Sequence, residues 1–223
     1  MSTELLERAY SSVHLRDRAQ SASSAARELL VEVASGLRDD RLQAEAHPLG
    51  FLCLRWHLSN GRTLRLHLWS RRFAWRQVPD WQIHDHVFGF RSLVLAGTLL
   101  NKYYVGAQES SNPRHLWPLY AVAYDEGTSS LQDTGSLINI RISSTQRVHA
   151  EQAYDVEPCV LHRTKLVSQR AASLVATVQT GGDPRSPRVV GANRGVNLRF
   201  SRSIAELDIR QIALEFVESI AAR

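Results

Sequence analysis

Two stretches of the chain hold residues whose types and spacing suit metal chemistry. In the first, WQIHDHVFGFRSLVLAG over residues 81–97, a single residue separates His84 from His86. In an extended segment successive side chains alternate between faces, so the two imidazoles share one face and Asp85 takes the other. Two imidazoles placed in this way can converge on one ion, and a third ligand must then come from an opposing strand. The second stretch, YDVEPCVLH over residues 154–162, offers one: a turn carrying Pro158, then His162 at the start of the next strand. Imidazole suits iron, zinc, copper and nickel, so ligand type does not choose among them. Three ligands leave positions open for a substrate and O2, which oxygen activation on non-haem iron requires. With a bound water the same set suits zinc acting as a Lewis acid.

These residues resemble the two motifs of the cupin superfamily. The family's first motif is His-x-His, a few residues, a glutamate and then a glycine; the second places a proline shortly before a histidine. His84, His86 and Gly97 match the first, Pro158 and His162 the second, in the family's order and separation. The resemblance covers about residues 50–180 and implies a mainly β fold, a cupin double-stranded β-helix or jelly-roll barrel, with the helical ends added to it. One departure is informative. The glutamate slot falls at Phe90 or Arg91, neither of which replaces a carboxylate ligand. The implied site is therefore His84, His86 and His162 alone, which is similar to the thiol dioxygenase group of cupins. That likeness implies Fe(II) and insertion of both atoms of O2 at a thiol sulfur; the alternative readings are a non-oxidative isomerase, lyase or decarboxylase using zinc, nickel or manganese, and a ligand-binding cupin without turnover. A metal without an anionic ligand keeps its full positive charge and favours an anionic donor such as thiolate or carboxylate.

Other side chains near the motifs have competing readings. Arg91 is a candidate for holding a substrate carboxylate, against a salt bridge at the barrel edge. Tyr103 is a candidate catalytic residue, but it adjoins Tyr104, only one of the pair can face a cavity, and core packing explains either. Asp85 is expected to make a structural hydrogen bond or to brace a ligand from behind. Cys159 reads as a small buried hydrophobe or a redox-active thiol, and Trp75 and Trp81 as pocket walls or core. His14, His47, His57, His67, His115 and His149 read as structural, with His57 and His67 able to face each other across a hairpin.

The elements that must position these groups fall into three zones. Residues 3–38 have helical periodicity, with residues 21–24 expected to break them into two helices and Gly36 to stop the second. From 47 to 181 the chain reads as strands. Residues 51–58 (FLCLRWHL) and 63–69 (TLRLHLW) partly alternate, and Asn60-Gly61 between them is a strong hairpin signal. Further strands are expected over 81–86, 92–96, 99–105, 119–124, 137–142 and 171–180, a spacing that fits a sandwich or barrel. The expected organisation is an N-terminal helical extension over 1–46, a barrel over 47–181, and a loop and C-terminal helix over 182–223. The loop over 181–195 reads as mobile or as a lid. After it Ser203 and Glu206 match a capping box, leading a helix with Ile209, Ile212, Phe216 and Ile220 on the face that packs on the barrel.

Composition narrows the function. With 223 residues, 43% of them hydrophobic, the chain can bury a sizeable core. The formal net charge is +5, carried almost wholly by arginine because Lys102 and Lys165 are the only lysines. The arginines are scattered, and without a continuous basic face nucleic-acid binding is not expected. A small anionic substrate held by one or two buried arginines fits the charge. Cys53 and Cys159 form no disulfide framework, so a reducing cytoplasm is the expected setting. No signal peptide or membrane span is expected, and a homodimer built by the helical ends is the open possibility for partners besides substrate and O2.

Overall fold

The computed structural model of the chain describes residues 1–14, 19–73, 75, 78, 80–107, 116–125, 127–178, 186–202 and 208–221. Two helices open the chain, α1 (Thr3–His14) and α2 (Ala19–Arg38), and one closes it, α3 (Ile209–Ala221). Between them lie β1 (Glu45–His47), β2 (Phe51–His57), β3 (Arg62–Ser70), β4 (Gly89–Ala96), β5 (Thr98–Ala107), β6 (Leu116–Asp125), β7 (Thr128–His149), β8 (Ala153–Val156), β9 (Leu161–Leu166), β10 (Arg170–Val178), β11 (Arg188–Val190) and β12 (Leu198–Ser201). They form two antiparallel sheets. The first runs β1-β2-β3-β10-β4-β8, the second β11-β6-β7-β5-β9, with β12 also pairing β7. This mainly β arrangement of two facing antiparallel sheets is a jelly-roll barrel.

Local chemistry explains the joints. Asn60 and Gly61 both have positive φ, 58° and 68°, which is what the two-residue turn between β2 and β3 requires. Gly97, at φ 80°, joins β4 to β5 so tightly that a Cβ there would lie 2.1 Å from the Arg170 carbonyl oxygen. Only glycine fits, which gives the first motif's terminal glycine a steric cause.

The first sheet is covered on both faces. Leu52, Leu54, Leu64, Leu66, Leu68 and Leu174 point outward and pack with Val13, Leu29, Leu37, Phe216 and Val217 of the three helices. The opposite side chains of the same strands, among them Phe51, Cys53 and Trp69, point into the barrel. Each outward leucine is 0–1% exposed, and burial of one such side chain contributes about 1.5–3 kcal/mol relative to leaving it in water.

Several sequence expectations are corrected. α2 runs unbroken through residues 21–24, and the boundary between the two helices lies between His14 and Ala19. Serine costs an alanine-rich helix only a few tenths of a kcal/mol, about 0.5 per residue, too little to end it. Gly36 does not stop α2; a Cβ there would lie 2.6 Å from the Leu42 side chain, so close packing is its role. The register pairs His67 with Cys53 and His57 with Thr63, so the two histidines do not face each other. Part of the expected loop over 181–195 is strand: β11 pairs β6 through Val189 and Tyr120. The rest of that loop up to residue 185, the Ser203–Glu206 capping box and His115 lie outside the described residues. Asp208 caps α3, its Oδ1 accepting from the Gln211 amide at 2.9 Å. Among the described residues no helix is long and apolar enough to cross a membrane.

Candidate metal centre

Residues 81–86 are extended but do not form a regular strand; His84 alone makes ladder contacts, bridging to His162 on one side and Val189 on the other. His84 N donates to His162 O at 3.0 Å and His162 N to His84 O at 2.8 Å. Asp85 N donates to Arg188 O at 3.0 Å and Cys159 N to His86 O at 2.7 Å. The segment is thus stitched between β9 and β11, and the stitching fixes which way each side chain points. Asp85 turns away from the two histidines and is 2% exposed. Its carboxylate accepts from the Arg188 amide at 2.6 Å and from Arg188 Nε at 2.7 Å. It braces the segment and takes no part in the ligand set.

His84, His86 and His162 meet. Each offers a ring nitrogen, and the three nitrogens lie within 4.8 Å of one another. Ring centroids are 4.9 Å apart for His84–His86, 4.5 Å for His84–His162 and 5.2 Å for His86–His162. His84 Nδ1 lies 3.0 Å from Gln82 O, and His162 Nδ1 lies 3.0 Å from Val160 O. A carbonyl oxygen can only accept, so both Nδ1 atoms carry the proton and both Nε2 atoms keep a lone pair. Backbone carbonyls that fix the tautomer in this way are the usual support of metal-binding imidazoles. Burial pushes all three rings below the ordinary histidine range, His162 to about 3, and the neighbouring imidazoles add to the shift at His86 and His162. Neutral rings with presented lone pairs are the state a divalent cation needs. The residues present therefore fit a metal ion.

The triad borders a cavity of about 70 Å³ lined also by His47, Phe51, Arg55, Arg65, His67 and Tyr154. At about 10–15 Å³ per water-sized occupant, this is space for a small metabolite only. Among the described lining residues none is acidic, while two are arginines. Arg65 Nε is buried without a hydrogen-bond partner. Its guanidinium lies 4.9 Å from the Phe88 ring centre, and burial followed by repulsion from Arg55 lowers its pKa. A buried guanidinium with an unused donor is costly until an anion supplies the acceptor.

The remaining sequence candidates lie elsewhere. Arg91 is not in the cavity: it sits on the outer face of β4, donating from Nε to Val13 O at 2.8 Å and pairing with Asp155 at 2.6 Å. The barrel-edge salt bridge is the reading that holds. Phe90, at the alternative glutamate slot, faces inward at 5.5 Å from His86 and 5.9 Å from His162. Tyr103 pairs with His162 in register and packs on the inner core, yet its hydroxyl leans away to Gln146 Oε1 and Asp155 O. Tyr154, not Tyr103, is the tyrosine on the cavity wall. Tyr104 packs in a separate cluster with Leu161 and Val190. Trp81 packs against Tyr120 with its ring tilted by 40°, beside a second, adjoining cavity, and Trp75 stacks on Phe73. Sequence reasoning missed Arg55, Arg65, His47 and His67. Residues 53, 55, 65 and 67 alternate with leucine or tryptophan, which sets them on one face of the hairpin but does not mark that face as a cavity wall.

No family model and no curated protein matches the chain. Solved structures of similar shape include a Lactobacillus farciminis oxalate decarboxylase, at 10% identity and TM-score 0.37, the match covering 65% of this chain and 32% of that one. A DMSP lyase matches at 12% identity and TM-score 0.35, covering 61% of this chain and 51% of that one. A hydroxypropylphosphonic acid epoxidase from S. wedmorenis matches at 10% identity and TM-score 0.37, covering 62% of this chain and 56% of that one. This chain thus spans about a third of the decarboxylase and about half of the other two. These are cupin-type barrels, and likeness at this level carries no argument about activity.

Proposed function

We propose that the chain is a metal-dependent enzyme, a non-haem Fe(II) oxygenase acting on a small anionic thiol or amino-acid-like metabolite. The observation that carries this reading is a three-imidazole ligand set opening onto a small cavity that holds unpaired positive charge and no acid among its described lining residues. His84, His86 and His162 would hold the iron through their Nε2 or equivalent lone pairs, and the ion would bring a coordinating donor of the substrate together with O2. Arg65, with Arg55 beside it, supplies the positive charge on the cavity wall that orients the substrate's anionic group. Phe90, Phe51 and Trp69 line the same space and exclude water from it. For a thiolate the overall change balances without a reductant: R–S⁻ and O2 give R–SO2⁻, the sulfur being oxidised and both oxygen atoms retained. No acid–base residue is needed to remove a proton once the sulfur enters as thiolate.

A second reading has one observation behind it. A neutral donor set of imidazoles alone does not select iron over zinc, nickel or manganese, so Lewis-acid isomerase, lyase or decarboxylase chemistry fits the same residues. The deciding measurement is metal content together with O2 consumption, in the wild type and in His162→Ala, with candidate thiols and amino acids as substrates. Stoichiometric iron with substrate-dependent O2 uptake, both lost in the variant, is the expected result. Equal product formation under nitrogen would overturn the oxygenase reading and leave the Lewis-acid one.

A further inference from the structure

His47 reaches the site from β1, an element that none of the ligand histidines occupies. It lines both the cavity at the triad and the adjoining one, which share His47, Leu49, His84 and His86. Its position is tightly set. The chain turns directly after it, with Gly50 at φ 85° donating its amide to His47 O at 2.9 Å. The ring lies flat on Phe51, centroids 4.1 Å apart and planes within 12°.

The decisive contact is the one at Nδ1. It lies 3.3 Å from the Leu49 amide nitrogen. An amide N–H can only donate, so Nδ1 is the nitrogen with the lone pair and the ring proton sits on Nε2. This is the reverse of His84 and His162, whose Nδ1 atoms face carbonyls and must carry the proton. One small space thus holds histidines in opposite tautomers, each fixed by the backbone. Two present a lone pair. His47 has spent its lone pair on Leu49 and has only an N–H left to offer, which makes it unfit as a ligand and fit as a hydrogen-bond donor.

We propose that His47 is a substrate-recognition residue whose Nε2–H donates to an acceptor oxygen of the bound molecule, where the two cavities meet. The inference rests on the reading of the cavity as the substrate site. It narrows the substrate class to molecules that carry, besides the group directed to the metal, an anionic group for Arg65 and a second acceptor oxygen for His47. A carboxylate whose two oxygens are divided between Arg65 and His47 meets the requirement, as does a carboxylate with a separate hydroxyl or carbonyl.

The test compares wild type, His47→Phe and His47→Gln. Phenylalanine keeps the flat ring on Phe51 and removes the donor; glutamine restores an N–H. Three quantities are measured on each protein: bound metal, thermal midpoint, and anaerobic binding of 3-mercaptopropionate, L-cysteine and acetate by calorimetry. The expected result is unchanged metal and binding about tenfold weaker in His47→Phe for whichever probes the wild type binds, with part of the loss recovered in His47→Gln. Binding by His47→Phe equal to wild type overturns the proposal, and so does loss of metal in that variant, which would make His47 a support of the triad. If His47→Phe does not fold, His47→Gln decides, since a donor role leaves it within a few-fold of wild type. A wild type that binds none of the probes at millimolar concentration overturns the donor role and the anionic-substrate reading together. Absence of metal from all three proteins, with probe binding still sensitive to His47, would instead sink the metal reading alone.

Discussion

The two faces of the β2–β3–β10 ribbon are built from alternate residues of the same strands and differ in almost every physical property. Outward, Leu52, Leu54, Leu64, Leu66, Leu68 and Leu174 interlock with three helices in a dry aliphatic layer. Inward, Phe51, Cys53, Arg55, Arg65, His67 and Trp69 surround a cavity, where burial disfavours the charged forms of Arg65 and His67 while Arg55 is exposed. Burying an unpaired arginine or a histidine that must stay neutral is unfavourable, so these groups are held in place by the aromatic and aliphatic side chains around them and by the outer layer. Residues adjacent in sequence, Arg65 and Leu66, serve opposite ends. The fold thus separates what keeps the barrel standing from what the barrel does, at a distance of one peptide unit.

Substitutions can break that separation or sharpen it. The largest effect is expected for His162→Ala, which removes one of three ligands. Bound metal measured after purification should fall by more than about a hundredfold in affinity, exceeding what loss of a supporting contact alone would cause. Leu66→Ala, one peptide away from the cavity, is expected to cost about 2–5 kcal/mol of unfolding free energy by denaturant titration while leaving metal stoichiometry unchanged. Loss of metal in the folded Leu66→Ala protein would show the faces to be coupled.

A pH series probes the inner face from another side. His67 stays neutral in the folded chain down to about pH 3, because burial and then the nearby arginines oppose its charge, whereas an unfolded histidine takes up its proton near 6.5. Stability associated with this ring is complete above about pH 6.5 and is lost as pH falls toward 3, since there the unfolded chain binds more protons. The metal-free protein should lose thermal midpoint steadily over that window, and His67→Leu should flatten the loss. Equal slopes would mean that the ring is open to solvent. Arg65→Met should leave stability equal or slightly higher, since an unpaired buried charge is gone, and weaken anionic probes about tenfold or more. The smallest effect belongs to Arg91→Met on the outer face. It should cost no more than about 1 kcal/mol, the usual worth of a partly exposed ion pair, with ligand binding unchanged.

The ligand set was legible in the sequence because alternation and a turn leave little freedom: His84 and His86 must share a face, and Pro158 delivers His162 to a strand start. The Asn60-Gly61 hairpin was legible for the same reason, a backbone demand that few residue pairs meet. The cavity's own charge was not. In a strand covered on both faces the alternation of leucines with mixed residues shows which side chains share a face, but not that Arg65 and His67 point into a cavity while Arg55 is exposed. Arg91 drew attention because it lies near the motif, yet one step of the pleat puts it against α1. Residues 188–190 read as loop between Pro187 and Gly191, because their partners on β6 lie far away in the chain and local chemistry carries no trace of them.

The Asp85–Arg188 pair joins residues 103 positions apart, and the same stretch ties His84 to β9. Contacts of such sequence separation require the loops between them to be closed first, at an entropic cost that only the assembled barrel offsets. The ligand triad therefore exists only once β9 has closed on residues 81–86, and a nascent or half-folded chain presents only the His84–His86 pair to any ion it meets. Metal uptake would then act as a seal on a finished barrel, discriminating by timing between a completed molecule and an unfinished one.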